Sequence, residues 1–190
     1  MTSESTPVRC SWCLGSPEYI RYHDEEWGRP VYEDQKIFEF LVLESAQAGL
    51  SWLTILRKRE GYRKAFAGFD PEKVARFTEQ DVERLMQDPG IIRNRQKIAA
   101  AIGNARIFLE IQKEHGSFSD YIWGFLPDRK PIVNQWKDHS STPASTELSD
   151  RISAELKKRG FKFFGTTICY AHMQATGMVN DHIIDCWTRK

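Results

Sequence analysis

The stretch Arg93-Asn94-Arg95-Gln96-Lys97-Ile98-Ala99-Ala100-Ala101-Ile102-Gly103-Asn104-Ala105-Arg106-Ile107-Phe108-Leu109-Glu110-Ile111-Gln112-Lys113-Glu114-His115-Gly116 decides the class of fold. Ile98, Ala101, Ile102, Ala105, Phe108 and Leu109 recur at helical spacing, and Gly116 stands where a helix would stop, so a long central helix is expected over Arg93 to His115. The same punctuation extends on both sides. Toward the amino end, Thr78 with Asp81 imitates a capping box, and Asp70-Pro71 supplies an N-cap followed by proline at the first helical position. Ser51 can cap a helix through about Lys58, and Asp34 another through about Ala48. Toward the carboxyl end, Ser145 or Thr146 opens a helix that ends at Lys157-Lys158-Arg159-Gly160. Two short helices are expected after it, Thr167 to Thr176 and about Asn180 to Trp187. Sustained period-two alternation is almost absent, so the expected fold class is all-α.

Between these helices, Pro127 to Pro143 carries three prolines and little periodicity, which reads as a surface loop at about 127–143 joining two helical portions. The 190 residues suffice for one compact domain or for two small helical lobes sharing a cleft, and the expectation taken is a single domain, 1–190, with two small helical lobes around a cleft. Lys plus Arg number 27 against 26 for Asp plus Glu, so the net charge of +1 creates no global field for a polyanion, and any nucleic-acid site must be a local patch. Met1 to Arg9 is polar, without the apolar run of an export signal, and the apolar window Ile37 to Leu56 is interrupted by Glu39, Glu44 and Gln47. The expected location is the cytoplasm, with no membrane association. There the four cysteines are more readily thiols or metal ligands than disulfides.

Within Asp34 to Ala48, Ile37, Leu41, Glu44 and Ala48 follow at spacings of four, three and four, so Glu44 occupies a core position. A buried carboxylate requires either a structural partner or a pocket that receives a cation or a hydrogen-bond donor. Trp12, Tyr19, Tyr22 and Trp27 precede it and Trp52 follows. Each is ordinary core material alone, but together with a carboxylate they are also suited to caging a flat, positively charged ring.

Cys10 and His23 near one end and His182 and Cys186 near the other make a complete tetrahedral zinc set, the last two being expected on one helical face. With all four positions filled by protein, such a site is structural and ties together ends that would otherwise fray. Cys10-Ser11-Trp12-Cys13 is itself a C-x-x-C pair, which leaves open whether Cys13 or His23 supplies the second amino-terminal ligand.

These pieces resemble the 3-methyladenine DNA glycosylases of the type I, constitutive kind, within the helix-hairpin-helix glycosylase superfamily. The likeness is carried by Arg9-Cys10-Ser11-Trp12, by Tyr22-His23-Asp24-Glu25-Glu26-Trp27-Gly28, and by Leu43-Glu44-Ser45-Ala46-Gln47-Ala48-Gly49-Leu50-Ser51-Trp52. Gly90-Ile91-Ile92-Arg93-Asn94-Arg95, the stretch Lys157 to Tyr170, and Val179-Asn180-Asp181-His182 carry the rest. The resemblance implies that Cys10, His23, His182 and Cys186 hold one structural zinc ion. It also implies that Glu44 hydrogen-bonds the extruded 3-methyladenine, that Tyr22 and Trp52 stack on it, and that Tyr19 lines the pocket wall. The implied partner is double-stranded alkylated DNA, from which 3-methyladenine, with 3-methylguanine an open possibility, is released after base flipping and without lyase activity. No obligate protein partner is implied, and the expected state is a monomer.

A helix-hairpin-helix element falls at Gly160 to Thr167, where the backbone N–H groups of Gly165, Thr166 and Thr167 suit a phosphate oxygen and Lys162 adds charge. The bland alternative is an ordinary connection between helices. Phe163 stands where the hairpin often has a glycine. Gly49-Leu50 is a candidate wedge for the gap in the duplex, with plain core packing as the alternative for Leu50. Arg93, Arg95, Lys97 and the group Lys157, Lys158, Arg159 and Lys162 are candidate phosphate contacts. Asn180 takes the position of the superfamily's usual aspartate, and Asp181 is expected to orient the His182 imidazole rather than to catalyse. Two rivals are a zinc module that binds DNA without a working pocket, and a zinc deaminase suggested by His23-Asp24-Glu25, which lacks the later P-C-x-x-C.

Overall fold

A computed structural model describes residues 6–189 of the chain. Helices dominate it: α1 (Pro17–Glu25), α2 (Asp34–Gln47), α3 (Trp52–Ala65), α4 (Pro71–Ala75), α5 (Glu79–Met86), α6 (Arg95–His115), α7 (Phe118–Trp123), α8 (Glu147–Lys158) and α9 (Thr166–Ala175). Two strands of two residues, β1 (Ile132–Val133) and β2 (Val179–Asn180), pair in parallel and are a small departure from an all-α reading.

The long helix α6 begins at Arg95 rather than Arg93 because the Asn94 side chain caps it, accepting from Lys97 N at 3.1 Å. It ends at Gly116, whose φ of +88° suits a residue without Cβ. The helix buried on all sides is α2, where every residue from Ile37 to Ala46 is inaccessible. That burial includes Glu39, whose carboxylate takes hydrogen bonds from Arg59 at 2.7 Å and Arg63 at 2.8 Å, while Lys36 stands 3.0 Å away. Arg59 also grips Glu26 through two contacts of 2.8 Å, so α2, α3 and the segment after α1 are joined by paired charge.

Three segments depart from expectation. Helix α1 lies before the first helix anticipated from the sequence; Ser16 caps it by accepting from Tyr19 N, with Pro17 in the first turn. Helix α3 runs beyond Lys58 to Ala65, carrying Gly61 in its interior. That glycine permits close approach, because a Cβ there would lie 2.2 Å from the Gly90 carbonyl oxygen. Finally, the helix expected over Asn180 to Trp187 does not form. The chain is extended at Val179–Asn180 and then turns, since the pairing with β1 and the buried Asp181 carboxylate hold it out of helical geometry.

Candidate active site and metal centre

A cavity of about 260 Å³ opens where α1, α2, α3 and α9 meet. Helix α1 brings Tyr19 and Tyr22, α2 brings Glu44 and Gln47, α3 brings Trp52, and α9 brings Gln174; Trp12, Trp27 and His139 complete the wall. The rings brace one another. Trp12 meets Trp27 edge-on with centroids 5.0 Å apart and Tyr19 at 5.6 Å, and the Tyr19 hydroxyl accepts from Leu53 N at 3.0 Å. Tyr22 and Trp52 lie 5.6 Å apart at 55°, which makes them adjoining walls rather than parallel plates. The volume is slightly below the usual range for drug-sized ligands and suits one flat ring system.

Glu44 lines this cavity and is 1% exposed. Its Oε2 is hydrogen-bonded with His172 Nδ1 at 2.8 Å across the interface of α2 and α9, while among the described residues Oε1 has no partner. Burial raises the Glu44 pKa, against which His172 acts in the opposite sense. The indole nitrogens of Trp12 and Trp52 and the Nε2 of His139 are likewise buried without protein partners. A cavity lined by a buried carboxyl and by residues with unpaired buried polar atoms suits a polar, planar ligand.

Beside the cavity, Cys10, His23, His182 and Cys186 are all buried, and the one ligand atom each offers lies within 4.8 Å of the others. Cys10 Sγ is 3.6 Å from His182 Nδ1, and Cys186 Sγ is 3.5 Å from the same atom and 3.4 Å from His23 Nε2. A tetrahedral ion with metal–sulfur distances of about 2.3 Å and metal–nitrogen distances of about 2.0 Å has S···N edges of roughly 3.5 Å, so the donors fit a metal. The other ring nitrogens are already committed: His23 Nδ1 donates to Asp24 at 2.7 Å, and His182 Nε2 donates to the Trp27 carbonyl at 3.0 Å. Asp24 is in turn held by Arg9 at 2.8 Å. Burial pushes the Cys10 thiol up to about 12 and His182 down to about 4.

Two expectations are corrected here, and the alternative that spacing left open at Cys13 is decided. Cys13 is not in the cluster, since its thiol donates to the Cys10 carbonyl at 3.1 Å. His182 and Cys186 meet through a turn, not along a helix face. Asp181 does not orient His182; fully buried, its carboxylate accepts from Asn134, Trp136, Tyr170 and Gln174 at 2.7–2.8 Å, fastening the 127–143 loop to α9.

The surface around the cavity mouth sorts the basic candidates. Gly49, at φ +80°, makes the turn from α2 to α3, on which Leu50 is 39% exposed. Lys97 is not free for phosphate, because its Nζ donates to the carbonyls of Ala46 and Ala48 at 2.8 and 2.6 Å. Arg95 is paired with Glu79 and Glu83, Lys158 with Glu155 and Arg159 with Glu114, whereas Arg93, Lys157 and Lys162 are exposed. Between α8 and α9, Phe163 adopts φ +55°, the left-handed conformation that favours glycine. Asn104 of α6 clamps the adjacent Lys162 backbone through two hydrogen bonds of 2.9 Å, which offsets that strain. Gly165 and Thr167 are exposed, while Thr166 bonds Asp150 of α8.

The sequence pattern of the methyladenine glycosylase family matches residues 12–190. The chain belongs to that family. As a methyladenine glycosylase it is 54% identical over 178 residues to the DNA-3-methyladenine glycosylase 1 of Escherichia coli (strain K12), covering 94% of this chain and 95% of the relative. It is 51% identical over 179 residues to the DNA-3-methyladenine glycosylase of Haemophilus influenzae, covering 94% and 96%. Among solved structures, the 3-methyladenine DNA glycosylase I from Staphylococcus aureus, described for its 3-methyladenine recognition, superposes with a TM-score of 0.92 at 39% identity, covering 96% of both chains.

Glu44, Tyr19, Tyr22 and Trp52, anticipated from this methyladenine glycosylase's sequence, meet in one cavity. His172, Gln174 and His139 were not anticipated. His172 and Gln174 follow one another on a helix that reads as plain core, and His139 sits in a loop without periodicity. His23-Asp24-Glu25 does not make a deaminase centre, because Glu25 is exposed while His23 sits in the buried cluster.

Proposed function

We infer that this methyladenine glycosylase hydrolyses the N-glycosidic bond of 3-methyladenine in alkylated duplex DNA. The observation that carries the reading is the free Oε1 of a buried Glu44 at the end of a ring-walled cavity. In 3-methyladenosine the base already carries a formal positive charge. The glycosidic bond therefore breaks with its electron pair leaving on a neutral base, and the sugar cation is captured by water, which then loses a proton. The protein has little acid chemistry to supply. Its work is to receive the flipped nucleotide, pack it against Tyr22, Trp52 and Tyr19, and present Glu44 as the acceptor that distinguishes lesion from adenine. A neutral, well-stacked base gains no charge attraction there and leaves the carboxylate poorly compensated. Guanine methylated at the same position carries a similar charge and is an open second substrate.

On the DNA side, Leu50 on the Gly49 turn fills the space the flipped nucleotide leaves. The α8–α9 pair serves as a helix-hairpin-helix, presenting the Gly165, Thr166 and Thr167 amides and the Lys162 ammonium to one backbone. Cys10, His23, His182 and Cys186 hold one zinc ion. With four protein ligands it supplies no reactive position and acts as a clamp joining the segment before α1 to the carboxyl end. The chain works as a single domain and a monomer, in the cytoplasm with the DNA. The reaction proposed is hydrolysis without a lyase step.

Base release from methylated duplex DNA tests the reading. Wild-type protein frees 3-methyladenine, and Glu44→Gln, folded by thermal melt, loses roughly 10- to 100-fold in rate, as expected for a charged hydrogen bond of about 1.5–3 kcal/mol. Protein that binds methylated DNA tightly yet frees no base overturns the reading in favour of a binding module. A fully active Glu44→Gln removes Glu44 from recognition.

A further inference from the structure

We propose that His172 is a positioning residue that holds Glu44 as an ionised acceptor with only its Oε1 presented to the flipped base. The proposal rests on the role given to Glu44 above and deepens it.

The geometry sets the terms. Glu44 and His172 are each 1% exposed, and the contact of 2.8 Å joins residues 128 positions apart. A carboxylate with both oxygens free in a cavity can rotate and present either, whereas one tied through Oε2 presents the other alone. The remaining ring nitrogen of His172, Nε2, is buried with no protein partner, and the Phe164 ring meets the imidazole edge-on at 5.6 Å.

With a neutral imidazole two arrangements are possible, and they differ by one proton. In one, Nδ1–H donates to a carboxylate and Nε2 is a bare lone pair against apolar surroundings. In the other, a protonated Glu44 donates to Nδ1, and the ring's own hydrogen sits on Nε2 as a buried donor without an acceptor. The first buries a negative charge, which the Nδ1–H bond and an arriving cationic base offset, while the second buries an unmet donor at Nε2, and we assign the first. The other titratable groups around the cavity do not take this part: burial lowers the His139 pKa, and the Tyr19 hydroxyl accepts from Leu53 N at 3.0 Å. Tyr22 on α1 and Cys169 on α9 are both raised by burial and then by Glu44 itself, and stay neutral. Among the described residues His172 is thus the group that compensates Glu44, whose burial otherwise favours the neutral acid.

Binding of free 3-methyladenine, followed by the fluorescence of the cavity tryptophans from about pH 5 to 9, tests the proposal on the whole protein. Titration of the base itself is common to all variants and cancels in the comparison. His172→Phe keeps the ring volume but not the donor; its binding is expected to fall about tenfold at neutral pH, with the acid-side loss displaced upward by about one pH unit. His172→Asn, whose amide takes the place of Nδ1, is expected to keep the wild-type profile and most of the affinity. Wild-type behaviour in His172→Phe overturns the proposal, as does weaker binding with an unmoved pH profile, which marks a packing role. If His172→Phe does not fold, NMR of the wild-type protein decides: hydrogen on Nδ1 with the Glu44 carboxyl carbon at its ionised shift supports the proposal, and hydrogen on Nε2 alone or a protonated Glu44 carboxyl overturns it. Glu44→Gln in the same titration separates the two claims. Undiminished binding there defeats the role of Glu44 itself, while lost binding there with an unaltered His172→Phe defeats only the role of His172.

Discussion

Lys97 of α6 closes the carboxyl end of α2, its ammonium 2.8 Å from the Ala46 carbonyl and 2.6 Å from that of Ala48. A cation at a helix C-terminus meets both the unpaired carbonyls and the negative end of the helix dipole. The two residues that follow are Gly49 and Leu50, so the bond that finishes α2 also sets where the exposed leucine stands. Burial lowers the Lys97 pKa, but the ammonium remains the donor these carbonyls require.

Lys97→Met is therefore expected to cost about 1–2 kcal/mol, lowering the melting temperature by about 2–4 °C for each kcal/mol. Cleavage of methylated duplex should fall further than affinity for free 3-methyladenine, since the turn is displaced while the cavity is intact. Equal loss in both measurements would count against the placement of Leu50 by Lys97.

Leu50 is 39% exposed, and its truncation leaves little cavity behind. Leu50→Ala should change stability by less than about 1 kcal/mol, while duplex cleavage drops roughly tenfold and binding of the free base is unchanged. A melting temperature that falls by many degrees would instead identify Leu50 as core.

Metal analysis of purified protein should find one zinc per chain. Cys186→Ala, which removes a donor 3.4 Å from His23 Nε2 and 3.5 Å from His182 Nδ1, should release it and lower the melting temperature. The His182 ring packs on Trp27 at 4.6 Å, so base affinity should weaken as well. Metal-free protein of unchanged stability would end the zinc assignment.

Arg59 is the hub for Glu26 and Glu39. Burial acts to raise both carboxyls, but hydrogen bonding and charge from Arg59 outweigh it and hold them below their usual range. Arg59→Met leaves the 3%-exposed Glu39 carboxylate with Arg63 and Lys36 alone and should destabilise by about 1.5–3 kcal/mol at neutral pH. Because the folded values are depressed, this stabilisation is present above the ordinary carboxylate pKa of 4.5 and is lost as pH falls through the folded values. Denaturant melts of the two proteins should therefore converge below about pH 4.5. A gap that stays constant under acid would refute the linkage.

Much of this architecture follows from patterns a few residues long. Asn94 and Gly116 bound α6, the Asp70 carboxylate caps α4 through Glu72 N and Lys73 N, and Thr78 with Asp81 forms a capping box on α5. Each is a contact within one helical turn, and the burial of Glu44 was equally visible from its position among Ile37, Leu41 and Ala48. Helix α1 carried a signal too, in Ser16-Pro17, but its inner face consists of Tyr19, Tyr22 and His23, which do not read as an apolar stripe. The end of α3 was expected at about Lys58, but the helix runs on through Gly61, whose reason lies outside it, at Gly90.

The local code accounts for the helices and for the buried acid on α2, because helical bonding and capping depend on neighbours three or four residues away. Spacing left Cys13 or His23 open and only the resemblance chose between them, while the meeting of His23 with Cys186, the attachment of Asp181 to Tyr170 and Trp136 instead of His182, and the partnership of His172 with Glu44 depended on packing. Such pairs join residues distant along the chain, and whether they meet depends on how helices stack and which polar atoms that stacking leaves to be satisfied. The periodicity of either segment carries no record of it.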